Sequence, residues 1–350
     1  MIVFIWRRQP PPGFIGGAEL TEAAWAAALA ELGHKVLFVG CHTNPRDHRL
    51  SDLSALREML RYHGISVEIR ADRLDYEWRG VRCICVSRRD LMQTARAILA
   101  TRPRMLWTSQ EGCDEIASLR SVKTFLVSYA HSVSPIGILS AKIGADFVLA
   151  PSIFVQRFLR DRLGCQSALL RPAMDRPSHA ELPRDTVLFV NPIREKGVVL
   201  AAALARAFPL QRFCFVEAWR TSDIEPDCLP ANVELLPRQP SLDQQYARAM
   251  LLLVPSVIAD AAPRVIDEAG LRGVPVLGSH RGGISELVAQ PETNCFPSWG
   301  VSRWSRRMAA LLQCDRSREK AADAQRQLTQ SLFEEPADAL GRVGILRVLQ

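Results

Sequence analysis

Asp260 and Glu268, two carboxylates with seven residues between them, bracket a point where a helix should start. The apolar run Met250-Leu251-Leu252-Leu253-Val254, closed by Pro255-Ser256, reads as a buried parallel strand. A polar loop then carries Asp260, and Pro263 stands where its fixed φ and missing N–H suit a first helical turn. Arg264, Val265 and Glu268 follow within two turns. A second strand, Val274-Pro275-Val276-Leu277-Gly278, leads to Gly282-Gly283 and a short helix over Ile284-Ser285-Glu286-Leu287. Two helix starts therefore lie at the carboxyl ends of parallel strands, where free backbone N–H groups and the positive helix end favour an anion, most often phosphate. Carboxylates are repelled by phosphate, so the partners expected for Asp260 and Glu268 are hydroxyls, a ribose for one and a sugar for the other. The plain alternative is a solvated helix start whose acidic residues favour the dipole.

Asp260, Glu268, Gly273-Val274-Pro275-Val276 and Gly282-Gly283-Ile284-Ser285-Glu286 together resemble the donor site of the retaining glycosyltransferases of the GT-B fold, family 4. That family has two glutamates with seven residues between, a Gly-x-Pro-Val strand and a Gly-Gly-x-x-Glu loop. The first acid here is Asp in place of Glu, shorter by one methylene. Upstream, Asn191-Pro192-Ile193-Arg194-Glu195-Lys196-Gly197 follows the run Val187-Leu188-Phe189-Val190 and resembles the family's turn ending in Glu-Lys-Gly, where a basic pair neutralises the diphosphate. Lys196 matches the family lysine. Asn191-Pro192 occupies the place of the usual arginine, which leaves Arg194 or Arg264 as the second cation. Gly16-Gly17-Ala18-Glu19 matches the family's Gly-Gly-x-Glu loop facing the donor phosphates, and His131 matches a histidine that contacts the donor sugar.

The resemblance implies an α/β chain of the GT-B fold, two Rossmann-like doubly wound domains facing across a cleft. It implies transfer of a sugar, with retention, from a nucleotide diphosphate sugar to a glycan, lipid-linked or small-molecule acceptor. The implied catalytic residues are His131, Lys196, Asp260 and Glu268; the implied donor-binding residues are Gly16, Gly17, Arg194, Lys196, Asp260, Arg264, Val265 and Glu268. No cofactor and no metal is expected. In such a mechanism positive groups and helix N-termini stabilise the leaving diphosphate, whose oxygen takes the acceptor's proton, so no hydrolase-like acid and base pair is needed. A nucleotide-sugar epimerase and a non-catalytic nucleotide or sugar binder on the same fold are the rival readings.

The elements that must hold these residues can be read along the chain. Met1 to Trp6 reads as a first strand rather than a signal peptide, since its arginines follow the apolar run. An alanine-rich helix opens at Gly16-Gly17 and stops near Gly33. Strands follow at Lys35 to Val39 and Ile65 to Ile69, with a helix over Ser51 to His63 between them and a hairpin through Tyr76 to Val86 beyond. A strand over Thr124 to Tyr129 delivers His131 to its carboxyl end, and a last strand of this half runs over Ala168 to Arg171. The expected organisation is a first domain over 1–175, a linker over 176–185 rich in proline, a donor domain over 186–335, and a segment over 336–350 returning to the first domain.

Composition sets bounds. Nine cysteines without regular spacing argue for thiols as small core residues in a reducing compartment, and Cys83 and Cys85 lack a second pair with metal-ligand spacing. No Gly-x-x-x-x-Gly-Lys loop and no Gly-x-Gly-x-x-Gly fingerprint occurs. The chain carries 44 Lys and Arg against 37 Asp and Glu, and the whole excess lies in residues 1–178, with 24 against 17. Without basic blocks or interleaved aromatics, nucleic acid is not the expected partner. An acidic acceptor or an anionic membrane surface suits the charge, with the protein expected in the cytoplasm or peripheral to the inner face of the membrane. A solvated arginine-rich surface is the alternative. Binding to anionic vesicles should therefore fall steeply between low and physiological salt in a flotation assay; salt-independent binding would leave only the solvated surface.

Overall fold

A computed structural model describes residues 1–13, 16–42, 56–57, 60–61, 63–70, 73–174, 182–239 and 241–350. Most of the helix expected over Ser51 to His63 lies outside the described residues. The chain divides into two compact units, Met1–Ala173 with Glu334–Gln350, and Met174–Phe333.

The first unit is a nine-stranded sheet. Its strands are β1 (Ile2–Ile5), β2 (Val36–Cys41), β3 (Val67–Arg70), β4 (Arg73–Trp78), β5 (Val81–Val86), β6 (Met105–Trp107), β7 (Phe125–Tyr129), β8 (Phe147–Ala150) and β9 (Ala168–Leu169), in the order β3-β4-β5-β2-β1-β6-β7-β8-β9. All neighbours pair parallel except β3 with β4 and β4 with β5. The β4–β5 hairpin closes on Arg79-Gly80, both at positive φ (49° and 73°), as a two-residue turn that keeps the strand twist requires. β1 is buried along its length, and its side chains alternate between two cores: Ile2 and Phe4 on one face, joined by Trp6 just beyond the strand, and Val3 and Ile5 on the other. A strand covered on both faces has no solvent side to record as polar residues, which is why these strands read as unbroken apolar runs. Ala339, Leu340 and Ile345 of the C-terminal helices Pro336–Arg342 and Ile345–Leu349 pack into the same core as Trp25 and Tyr129. The last strand is shorter than expected. Ala168 and Leu169 pair with Leu149 and Ala150, where β8 ends, so Leu170 and Arg171 have no ladder to extend.

The second unit is a wholly parallel six-stranded sheet, β10 (Thr186–Val190), β11 (Arg212–Val216), β12 (Val233–Leu236), β13 (Ala249–Val254), β14 (Val276–Ser279) and β15 (Cys295–Phe296), in the order β12-β11-β10-β13-β14-β15. Chain direction across the sheet reverses between β10 and β13, and ligands of such sheets bind in the crevice outside the carboxyl ends at that point. Val187 and Phe189 enter one core while Leu188 enters the other. The helix Arg264–Leu271 packs against the helix Asp315–Leu332 so closely that a β-carbon on Gly270 would overlap the Thr329 side chain. Pro263, expected inside the first turn, caps the helix instead: its ψ of 106° is extended, and Arg264 is the first helical residue.

No helix of the described residues is long and apolar enough to cross a membrane. Gly to Ala inside a helix ordinarily stabilises by about 0.5–1 kcal/mol. Gly270→Ala should instead lower the melting temperature of the second unit, at a cost of about 1–3 kcal/mol from overpacking. Thr329→Ala should recover part of the loss, and only part, because its β-carbon remains in the way.

Candidate functional site

In the second unit the chain leaves β10 through Asn191, a buried residue at φ 67°, and Ile193 before a single 3-10 turn over Arg194–Lys196. Gly197 ends that turn at φ 88°, and any β-carbon there would overlap the Pro255 carbonyl at the end of β13. Glycine therefore lets the loop after β10 press directly on the loop after β13. The Val257 N–H, donating 3.0 Å to the Glu195 carbonyl, ties the two together.

This contact delivers Lys196 to Asp260. The Lys196 ammonium bonds Asp260 Oδ1, and the Ser256 hydroxyl donates to Asp260 Oδ2 at 2.5 Å. The pair is mostly enclosed, with Lys196 21% and Asp260 11% exposed, so neither charge is well served by water. The loop after β14 closes on the same residue: Gly282 sits at φ 63° where a β-carbon would strike the Asp260 backbone, and Gly283 N–H donates 2.7 Å to the Asp260 carbonyl. The Ser256 carbonyl in turn accepts from Ser279 and Ser298, each at 2.7 Å. Four strand ends thus meet around Ser256–Asp260.

Glu268 lies one turn into the helix Arg264–Leu271. Arg264 and Val265 open that helix, and their N–H groups have no carbonyl within it to bond. The Tyr246 hydroxyl donates 2.9 Å to Glu268 Oε2, and Arg264 Nε lies 3.6 Å from Oε1. Burial, and then the neighbouring Glu268 carboxylate, push the Tyr246 phenol well above its ordinary pKa. It stays a proton donor. Arg272 completes the support, bonding the Glu268 carbonyl at 3.1 Å and the Asp243 carboxylate while its guanidinium lies over the Tyr246 ring. Arg194 is exposed, and its backbone N–H is held by the Asp223 carboxylate at 2.7 Å, which Arg220 also bonds. The structure therefore joins Lys196 with Asp260, and Arg264 with Glu268. The expected partners of the two acids were hydroxyls of a ligand; in the chain itself they are Lys196 and Ser256 for one and Tyr246 and Arg264 for the other.

In the first unit the sheet has its own reversal between β1 and β6, and the loops after both strands carry charge. Arg8 is buried and bonds Glu19, Glu111 at 3.0 Å and Gln110 at 3.1 Å. Burial works against its charge, but Glu19 and Glu111 outweigh it and hold the guanidinium above its ordinary range. Gly16 caps the helix Gly17–Glu31, and a β-carbon on Gly17 would meet no described atom within 4 Å. His131 follows β7, with Nε2 2.8 Å from the buried Glu22 carboxylate, which the Ser109 hydroxyl also bonds at 2.5 Å. Sequence reading passed over Arg8, Glu22, Tyr246 and Ser256. For Glu22 a signal existed: Glu19 and Glu22, three apart on one face of an otherwise alanine-rich buried helix, need partners. Among the described residues no group of three or more His, Cys, Asp or Glu could hold a metal ion.

No family model matches the chain, and no curated protein matches it. Its fold is similar to that of sucrose-phosphate synthase from Thermosynechococcus elongatus, at 19% identity and a TM-score of 0.75 over 99% of this chain and 98% of that one. It is similar to HepE of Anabaena, solved with UDP and glucose, at 17% identity and a TM-score of 0.73 over 99% of both. A variant of S. aureus TarM, solved with fondaparinux, alpha-GlcNAc-glycerol and UDP, gives 7% identity and a TM-score of 0.72 over 98% of this chain and 99% of that one. The chain adopts the GT-B fold, with two Rossmann-like units.

Proposed function

We propose that the chain is a retaining glycosyltransferase that moves a sugar, hexose-like, from a nucleotide diphosphate sugar to a glycan, lipid-linked or small-molecule acceptor. The observation that carries the reading is the Lys196–Asp260 pair at the reversal between β10 and β13, beside the first turn of the helix Arg264–Leu271. A fixed ammonium and the positive N-terminal end of a helix at such a point suit a diphosphate. HepE, of the same fold, has been solved with UDP-glucose, which supports a donor of that class.

In this mechanism Asp260 holds Lys196 in place while the site is empty, and the diphosphate displaces the carboxylate from the ammonium when the donor binds. Asp260, released, faces the sugar. Glu268, held by Tyr246 and Arg264, binds the ribose hydroxyls. As the sugar–phosphate bond breaks, charge grows on the leaving oxygen, and Lys196 with the Arg264 and Val265 N–H groups stabilises it. That oxygen takes the acceptor's proton, and attack from the same face retains configuration. His131 with Gly16 and Gly17 serves the donor from the first unit. We propose that charge on the diphosphate is met by these groups without a resident metal or cofactor, and that the basic first unit gathers an acidic acceptor or contacts an anionic membrane from the cytoplasmic side.

The test is release of nucleoside diphosphate from a panel of donors, with and without acceptors; product formed from the donor without any acceptor would instead mark an epimerase, and binding without turnover a non-catalytic binder. Lys196→Ala should cost about 3 kcal/mol of transition-state stabilisation, roughly 100-fold in kcat. Glu268→Gln should chiefly raise the donor KM, and Asp260→Ala should lower kcat more than it raises KM, each hydrogen bond being worth about 1–3 kcal/mol. Asp260→Glu should retain turnover or shift the preferred donor. Unchanged turnover in Lys196→Ala, with an unchanged melting temperature, would remove Lys196 from the site.

A further inference from the structure

Resting on the transferase reading, we propose that Glu22 is the positioning residue of His131. Its carboxylate fixes the imidazole with Nε2–H turned inward and leaves the Nδ1 lone pair to accept a hydrogen bond from a substrate hydroxyl.

Glu22 is 2% exposed, in the middle of the helix Gly17–Glu31 among Ala23, Trp25 and Ala26. Apolar side chains dominate that environment, and a charge there needs a reason. Its Oε1 receives the Ser109 hydroxyl at 2.5 Å and lies 2.8 Å from His131 Nε2. An ionised carboxylate only accepts, so Nε2 must donate. A neutral imidazole carries one proton, and with that proton on Nε2 the Nδ1 atom is an acceptor. The ring cannot easily turn to exchange the two nitrogens, because it is stacked on Tyr129, with centroids 4.4 Å apart and planes 20° apart. Tyr129 is itself held through its hydroxyl, which donates to the Leu170 carbonyl. Two strand ends and one helix therefore cooperate to set a single tautomer.

The second carboxylate oxygen makes a purely structural role a poor explanation. Glu22 Oε2 is buried without a hydrogen-bond partner, so the fold keeps a half-satisfied anion in its interior. Buried polar groups in that condition are uncommon and cost stability. An oriented histidine accounts for it: the carboxylate sets the tautomer and the orientation of the imidazole, as a buried carboxylate behind a working imidazole does elsewhere in enzymes. The consequence for specificity is that the group read by His131 must be an O–H. A fluorine in its place accepts but does not donate, and should be rejected.

Two measurements test this. In the intact, 15N-labelled protein a long-range 1H–15N spectrum of the histidine rings, with His131 assigned by its loss in His131→Ala, should show the proton on Nε2. A proton on Nδ1 would overturn the proposal whatever the activity. In donor turnover, Glu22→Gln should lower kcat about tenfold while the donor KM changes less than about twofold. In a His131→Ala background the same substitution should add nothing, because Glu22 acts only through the ring. Fully additive losses would make Glu22 a structural residue and overturn the proposal. If no donor is turned over by the wild-type protein, the transferase reading fails, and the spectrum alone then decides whether Glu22 holds the ring.

Discussion

The contact on which the candidate site depends is the approach of backbone to backbone at the ends of β10, β13 and β14. Gly197 meets the Pro255 carbonyl and Gly282 meets the Asp260 backbone, both in the left-handed region and both without room for a β-carbon. That approach brings a lysine from one loop onto a carboxylate from another, 64 residues away. Widening either contact by the size of a methyl group would separate the two charges and open the polar core of the loop, where the Ser256 carbonyl gathers Ser279 and Ser298. Serine hydroxyls join the buried Ala261 and the core-packed Ala262 in holding the loop after β13, and the Ser256 hydroxyl fixes the Asp260 carboxylate.

Charge is handled differently in the two units. In the second, Lys196 and Asp260 pair with each other and both remain partly exposed. In the first, Arg8 is sealed among Glu19, Glu111 and Gln110, three partners for one guanidinium. A buried charge with that many charge-assisted bonds is costly to break and has nothing to exchange. Arg8 is accordingly a brace that ties the loop after β1 to the loop after β6 and to the helix Gly17–Glu31, while Glu22 and Ser109 reach from the same elements toward His131.

The sequence was most legible where a single physical demand dominated. Parallel strands buried on both faces must be apolar throughout, so β1, β10 and β13 stand out as runs. Lys196, Asp260, Glu268 and the glycine pair could be singled out because a motif constrains their spacing within short stretches. The failures share a cause. Glu22 meets His131 across 109 residues, Arg8 meets Glu111 across 103, and Tyr246 meets Glu268 across 22 and an intervening strand, and no local pattern encodes such meetings. Pro263 and β9 were misplaced by a residue or two because element ends are set by ladder partners and cap geometry that the local sequence does not contain.

The account's central claim is that a diphosphate sits over Lys196 and the first turn of the helix Arg264–Leu271. Backbone hydrogen exchange with and without a saturating nucleoside diphosphate tests it most directly, since bound phosphate oxygens protect the amides they accept from. The account predicts slowed exchange at Arg264 and Val265, the first residues of that helix. Unchanged exchange at both while the nucleotide is demonstrably bound would contradict it.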